Sequence, residues 1–296
     1  MERVLVTGPN GFVGRHLRTE LGEAFVPHDG DVLDSAALAA AVRDVRPNAV
    51  VHLAALSSVA DSWADVTEVW RVNVLGTVNV AEAIRTEAPN ARLLFVSSGE
   101  VYGTPAQVPT PEDAPLAPVS PYGASKAAAE FAARQASNVL DVVVARSFPN
   151  IGPGQDERFA VPSWAGQLAR AGEGDDELRV GDLDVERDLT DVRDVCRAYR
   201  LLLDRSVAAG TYNVATGKAV SLRRVVDLLI ESAGARVTVV RDEARLRPAE
   251  IRTVVGDASW LRAATGWRPE IPLEQTLRDV LLAARRTAET DTIPTA

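Results

Sequence analysis

The tightest constraint on the fold lies near the start of the chain, where Arg3 to Thr7 runs directly into Gly8-Pro9-Asn10-Gly11-Phe12-Val13-Gly14. The short apolar run reads as a buried strand, and a helical period takes over from about Phe12 to Leu21. Glycines at the junction permit a tight turn and let a phosphate approach the backbone amides at the positive end of a helix. The spacing is Gly-x-x-Gly-x-x-Gly, and its position after a first strand points to dinucleotide binding rather than to a purely structural turn.

The remainder of the first half alternates in the same way. Strands are expected at Ala24 to Pro27, Ala49 to Leu53, Arg92 to Ser97 and Val142 to Arg146. Helices are expected at Ser35 to Val45, Ala64 to Glu87 and Pro121 to Ser137. Short apolar strands alternating with helices predict an α/β fold, a doubly wound parallel sheet of Rossmann type covered on both faces. The second half is less regular. Gly172 to Asp176 reads as a polar break, Asp191 to Leu203 as a helix, Thr211 to Val214 and Val237 to Val240 as strands, and Ser221 to Ala233 as a capped helix. Helices follow from about Ala258 to Thr265 and from Leu273 to Thr287, and the polar tail from Glu289 is expected to fray. These patterns predict a dinucleotide-binding domain from residues 1–152 and about 188–214, with a smaller α+β lobe from about 153–187 and 215–296.

Charge narrows the partners. The net charge of −9 disfavours nucleic-acid backbones. The longest nearly unbroken apolar stretch, Ala49 to Leu56, is under half of a membrane span, and no secretory signal pattern is present. A single cysteine, Cys196, excludes an internal disulfide and a four-cysteine metal site, and His16, His28 and His52 form no ligand pattern. No metal, no membrane and a reducing cytoplasm are therefore expected. Only two of the 32 basic residues are lysine, Lys126 and Lys218, so a lysine retained in a motif is informative.

Lys126 stands four residues after Tyr122, on the same face of the Pro121 to Ser137 helix. A phenol that titrates near pH 10 becomes a useful proton donor or base when a neighbouring ammonium stabilises its anion. The glycine loop, His52-Leu53-Ala54-Ala55, Asn73, Ser97-Ser98-Gly99-Glu100-Val101-Tyr102-Gly103 and Tyr122-Gly-Ala-Ser-Lys126 together resemble the extended short-chain dehydrogenase/reductase family over nearly the whole chain. The resemblance implies NAD or NADP as cofactor, lying across Gly8, Asn10, Gly11, Phe12, Val13 and Gly14. Its further contacts would be Leu53, Ala54, Ala55, Asn73, Tyr122, Lys126 and Phe148, with Asp31-Val32 at the adenine. Ser98, Tyr122 and Lys126 would be catalytic; Glu100 stands where nucleotide-sugar dehydratases carry an acid/base glutamate and where the related keto-sugar reductases also carry glutamate, so it is either an acid/base or a structural glutamate.

Two departures from the family pattern stand out. Only His28, Asp29 and Gly30 separate the second strand from Asp31, so Asp29 is either a partner of an adenosine ribose or a turn residue beside Gly30. In Ser147-Phe148-Pro149-Asn150, proline occupies the place where such reductases carry asparagine, leaving Asn150 one residue later. On the substrate side the resemblance assigns Ser57, Ser98, Glu100, Asn150, Arg187, Arg247 and Glu250 to a nucleotide-diphosphate sugar. Bidentate guanidinium groups suit a diphosphate, while the competing role for Arg187 is an ion pair with neighbouring acids. The expected activity is NAD(P)H-dependent reduction of a nucleotide-linked 4-keto-6-deoxyhexose of the GDP-4-keto-6-deoxymannose type. The alternatives are a dehydratase, epimerase or decarboxylase that recycles its dinucleotide, and a non-catalytic dinucleotide-binding subunit. The resemblance also implies a homodimer formed through the two long helices, with Ala127, Ala128, Ala132 and Ala133 allowing close approach; packing on the chain's own sheet is the competing use of those alanines.

Overall fold

The computed structural model describes residues 3–172, 176–246 and 250–291. Its centre is a six-stranded sheet. The first five strands are β1 (Val4–Thr7), β2 (Phe25–His28), β3 (Ala49–His52), β4 (Arg92–Ser98) and β5 (Asp141–Ser147). The sixth is the strand Gly210–Val214, which forms one edge and is followed in order by β5, β4, β3, β1 and β2. Every pairing is parallel. The helices of this half are α1 (Phe12–Leu21), α2 (Ser35–Val45), α3 (Val66–Trp70), α4 (Gly76–Glu87) and α5 (Pro121–Ala136).

Burial explains the near-uniform apolar strands. Val4, Val6, Val51, Leu94, Val143 and Ala145 face one core with Leu17, Val195 and Tyr199, whereas Leu5, Val50, Leu93, Phe95 and Val144 face another with Leu38, Ile84 and Ala133. Both faces are thus covered, as a parallel sheet requires. The chain passes from β1 outward to β2 and then returns to place β3 on the other side of β1. The strand order therefore reverses between β1 and β3, and a crevice opens at their carboxyl ends. The register brings Thr7, His52, Phe95, Ser98, Ser147 and Val214 towards that one edge.

A third core, containing Ile151, Trp164, Leu168, Leu178, Val180, Val225, Leu229, Leu277 and Leu281, lies outside the main sheet. Around it are the helices Ala160–Arg170, Leu222–Ala233 and Leu273–Asp291 and a parallel pair formed by Asp176–Val180 and Val237–Arg241. The strand Asp176–Val180 follows directly on the expected polar break; its alternating buried residues, Leu178 and Val180, are masked in the sequence by three charged neighbours. Ile251, Val254, Ala258, Leu261 and Trp267, placed by the sequence in the smaller lobe, pack instead into the core beneath the main sheet. The helix expected to run unbroken from Ala64 to Glu87 contains a π turn at Arg71–Leu75 between α3 and α4. Among the described residues, no helix is long and apolar enough to cross a membrane.

Candidate active site

The glycine loop makes the floor of the crevice by letting backbones approach closely. Gly8 has a positive φ of 67°, and a Cβ there would lie 2.9 Å from the Ala54 amide nitrogen. On Gly14 a Cβ would fall 2.4 Å from the Gly8 carbonyl oxygen, so only glycine lets α1 start this close to the turn. The helix begins after Gly11 with no side chain capping its first amides. Those donors and the positive helix end suit the pyrophosphate of a dinucleotide, and the cradle that a Cβ would fill fits such a group.

The opposite lip, Leu53-Ala54-Ala55, is pinned by a buried relay. Thr7 Oγ1 accepts a hydrogen bond from the Ala54 amide at 3.3 Å and lies 2.7 Å from His52 Nδ1. His52 Nε2 is 3.1 Å from Thr77 Oγ1, which itself donates to the Asn73 carbonyl at 2.6 Å. Thr77 can then only accept from His52, which assigns the imidazole proton to Nε2 and makes Nδ1 the acceptor. Burial, and then the nearby Lys126, push the histidine down to about 3, so this neutral form persists.

Asn73 is buried in the π turn rather than lining the crevice. Its side chain accepts from the Leu56 amide at 2.8 Å, donates to the Leu56 carbonyl at 3.1 Å and donates to Ser125 Oγ at 2.9 Å. Ser125 in turn donates to the Tyr122 carbonyl at 2.8 Å. The expected cofactor contact is thus a clamp that holds the β3 lip against the start of α5.

α5 carries Tyr122 and Lys126, the pair expected to act on the substrate. Ser120 caps it, accepting from the Gly123 amide at 3.0 Å, and Pro121 occupies its first turn. Tyr122 and Lys126 are both buried on its inner face, with Lys126 Nζ 4.5 Å from the centre of the Phe95 ring on β4. Burial pushes the Tyr122 phenol up to about 12; a hydrogen bond with Ser98 opposes that shift and Glu100 adds to it. Burial brings Lys126 down to about 7, against the pull of Glu130. Ser98, at the end of β4, also accepts from the Glu100 amide at 3.2 Å and so shapes the turn that follows. The crevice therefore offers a neutral phenol beside a serine hydroxyl.

Beneath this centre lies a network that sequence reasoning did not find. Glu130 accepts from Ser97 Oγ at 3.0 Å and pairs with Arg146 at 2.5 Å and Arg134 at 2.7 Å. Burial alone would raise its carboxyl, but the two guanidiniums outweigh this and hold it below the usual range. Arg146 donates to Tyr102 at 2.7 Å, and Tyr102 donates to Asn213 at 2.8 Å. β4, α5, β5 and the edge strand are thereby locked under Ser98 and Tyr122. The one local signal is that Glu130 continues the four-residue spacing of Tyr122 and Lys126; its partners are distant in sequence.

One cavity of about 830 Å³ runs from the glycine loop past Ser98 and Tyr122 to the C-terminal third. Gly8, Gly11, Phe12, Val13, Gly14 and Leu53 to Ala55 line it at one end. Ser57, Ser98, Glu100, Tyr122, Lys126, Phe148 and Asn150 line its middle, and Arg187 and Glu250 its far end. Asn10, Asp29, Asp31 and Val32 are outside this lining, in and beside the turn after β2. Asp31 there accepts from the Leu33 amide at 2.9 Å, and Val32 is buried. Arg187 and Glu250, expected to meet a ligand separately, form an ion pair with each other. Arg187 also donates to the Glu186 and Arg252 carbonyls at 2.8 and 3.3 Å. Arg247 lies outside the described residues. Two further arginines of the lining, Arg158 and Arg245, carried no sequence signal in a chain so rich in arginine; they pair with Asp156 at 3.0 Å and Asp242 at 3.3 Å. Among the described residues no cluster of His, Cys, Asp or Glu could hold a metal ion.

The six-stranded parallel sheet, with Tyr122 and Lys126 on the helix after β4, is that of the extended short-chain dehydrogenase/reductases, enzymes that use NAD(P), and the chain belongs to them. Within that class it belongs to the GDP-mannose 4,6-dehydratase family, whose model matches residues 15–280. It is 39% identical to the GDP-6-deoxy-D-mannose reductase of Pseudomonas aeruginosa, over 95% of this chain and 96% of that one. The structure of RMD from P. aeruginosa complexed with NADPH superimposes with a TM-score of 0.88 at 36% identity, covering 97% of this chain and 100% of the other. UDP-glucose 4-epimerase from Thermotoga maritima, solved with UDP-glucose, gives 0.84 at 26% identity, covering 97% and 99%.

Proposed function

We propose that this chain reduces the keto group of a nucleotide-linked 4-keto-6-deoxyhexose, of the GDP-4-keto-6-deoxymannose type, with NAD(P)H as hydride donor. The observation that carries this reading is that Tyr122 and Ser98 line the same cavity as the glycine loop, so that a phenol and a serine hydroxyl stand together where a dinucleotide would end. Reduction of a ketone needs a proton delivered to the new alkoxide, and a neutral phenol is equipped to give it. The near full-length similarity to a GDP-6-deoxy-D-mannose reductase favours the same sugar class.

In this reading Ser98 and Tyr122 bind the sugar carbonyl oxygen by hydrogen bonds, and Tyr122 delivers the proton. Lys126, when charged, stabilises the phenolate left behind. Ser57, Glu100 and Asn150 line the sugar's place, while Arg187 meets the diphosphate, with Arg158 and Arg245 as further cations in the lining of the same cavity. Arg187 is taken over by the diphosphate from Glu250, which then turns to the nucleoside. When bound, the nicotinamide supplies the hydride. The part of the chain carrying the main sheet would hold the dinucleotide, and the part around the third core the nucleotide sugar.

A second reading, dehydration or epimerisation with retained dinucleotide, draws on Glu100, which lines the cavity close enough to Tyr122 to oppose its ionisation. The two separate on one experiment. With coenzyme deuterated at the transferred position, reduction places deuterium on C4 of the sugar in the released product, whereas product without deuterium contradicts it.

We further propose a cytoplasmic homodimer. Exposed Trp63, Val66, Trp70 and Phe131 lie on and beside α3 and α5, which contact each other. Ala127 and Ala133, expected at such an interface, are buried in the chain's own cores instead. Phe131→Glu is expected to convert a dimer to a monomer in sedimentation; an unchanged mass would discard this face.

A further inference from the structure

We infer that the turn after β2 selects NADH over NADPH, and that Asp29 is the specificity-determining residue. The inference rests on the dinucleotide site proposed above, and concerns only its adenosine end. β2 lies beside β1, with His28 in register with Thr7, so Asp29 emerges next to the glycine loop at the carboxyl edge of the sheet. A carboxylate at this place accepts hydrogen bonds from the adenosine ribose, whereas a 2′-phosphate there needs a cation. Asp29 is exposed, and its position is fixed: Asn10 of the glycine loop donates from Nδ2 to Asp29 Oδ1 at 2.8 Å. That bond uses one oxygen and ties the carboxylate to the loop that would hold the pyrophosphate.

The surroundings offer a 2′-phosphate little. Asp31 and Asp34 follow within five residues, Asp31 folding the turn onto the Leu33 amide and Asp34 capping α2 through the Ala37 amide at 3.0 Å. Gly30 supplies no side chain. His28 is buried, and that burial lowers its imidazole, with Asp29 pulling the other way, so it is a poor source of positive charge. Arg15 spends its guanidinium on the carbonyls of Asn10 and Gly154 at 2.7 and 2.8 Å. Arg71 is bidentate to Glu68 at 2.7 and 2.9 Å, and Arg18 lies 4.7 Å over the Phe25 ring at the opposite end of β2. A phosphate on the ribose would thus face a carboxylate tied to the glycine loop, with Arg71 already paired to Glu68 and the donors of Arg15 turned to backbone carbonyls, and like charges brought together are strongly unfavourable. This separates the chain from its P. aeruginosa relative, which is solved with NADPH.

The test is direct binding of NADH and NADPH to the purified protein by titration calorimetry, with no sugar nucleotide present. Its result is therefore independent of which sugar is reduced. The natural chain is expected to bind NADH about tenfold or more tighter than NADPH, because a discrimination of that size needs only a modest difference in charge repulsion. Asp29→Asn keeps the size and removes the charge, and should bring the two affinities within about threefold of each other. Asp29→Arg should reverse the preference. Circular dichroism confirms that each variant is folded, as expected for an exposed position. NADPH binding as tightly as NADH to the natural chain, or a ratio unmoved in folded Asp29→Asn, overturns the inference.

Discussion

The two ends of the cavity are built on different principles. At the glycine-loop end, where the dinucleotide is proposed to lie, glycine turns and strand termini form the wall, and Thr7, His52, Asn73 and Thr77 fix that backbone from below by buried hydrogen bonds. At the far end the wall consists of long side chains on two-residue strands and loops, with Arg187 and Glu250 paired across it. A backbone cradle is preorganised and tolerates little change, because even one methyl group collides with a carbonyl. A wall of ion pairs can exchange one partner for a ligand, so its residues can be replaced one by one with graded effects. The conserved chemistry of a dinucleotide suits the first design, and the selection of one sugar nucleotide among several suits the second.

The largest effect is expected at the centre between the two ends. Tyr122→Phe should lower kcat by about 10²- to 10⁴-fold, the range for loss of a positioned proton donor, while dinucleotide binding stays intact. Steady-state rates with parallel binding titrations check both halves of that statement. Next is the far end. Arg187→Ala should raise KM for the sugar nucleotide about 10- to 100-fold, as for loss of a charged hydrogen bond of about 1.5–3 kcal/mol, and leave coenzyme affinity unchanged. A matching loss of coenzyme affinity would show that the two ends are not separable.

At the cofactor end, Gly14→Ala places its methyl 2.4 Å from the Gly8 carbonyl. Such overpacking costs about 1–3 kcal/mol, so coenzyme affinity should fall about tenfold with KM for the sugar little altered at saturating coenzyme. Titration of coenzyme into the variant decides it, and unchanged affinity would remove the loop from the binding site.

Near neutrality the smallest effect is a pH dependence. Lys126 is drawn from its ordinary 10.5 down to about 7 by burial, with Glu130 opposing. The ammonium is the form that supports Tyr122, so kcat/KM of the free enzyme should decline as pH rises through about 7, approaching tenfold per pH unit. Stability moves in the opposite sense. Between about 7 and 10.5 the unfolded chain carries the proton at this lysine and the folded chain does not, so the contribution of Lys126 to stability rises with pH across that interval. Lys126→Arg should flatten the falling limb, and a pH–rate profile with a denaturation series at two pH values checks both.

Much of the first region was legible because its signals are local. The glycine spacing, the apolar strands and the four-residue step from Tyr122 to Lys126 each lie within a few consecutive positions, and Asn73 stands out as a family position although its clamp leaves no mark in the sequence. The second region was less so. Arg158 and Arg245 look like any other arginine in this chain, and the Arg187–Glu250 pair joins residues 63 positions apart. Likewise Glu130, Arg146, Tyr102 and Asn213 meet only because β4, α5, β5 and the edge strand are neighbours in space. The π turn at Arg71–Leu75 also left no mark, since its residues continue a helical pattern. What periodicity reveals is which face is buried; which polar groups meet there depends on the tertiary structure.

The most direct measurement follows coenzyme absorbance at 340 nm after adding freshly generated GDP-4-keto-6-deoxymannose to the purified protein with NADH or NADPH. The expected result is oxidation of one coenzyme per sugar nucleotide, abolished in Tyr122→Phe. Sugar nucleotide converted without any net coenzyme oxidation would contradict a reductase and point to chemistry that retains its dinucleotide.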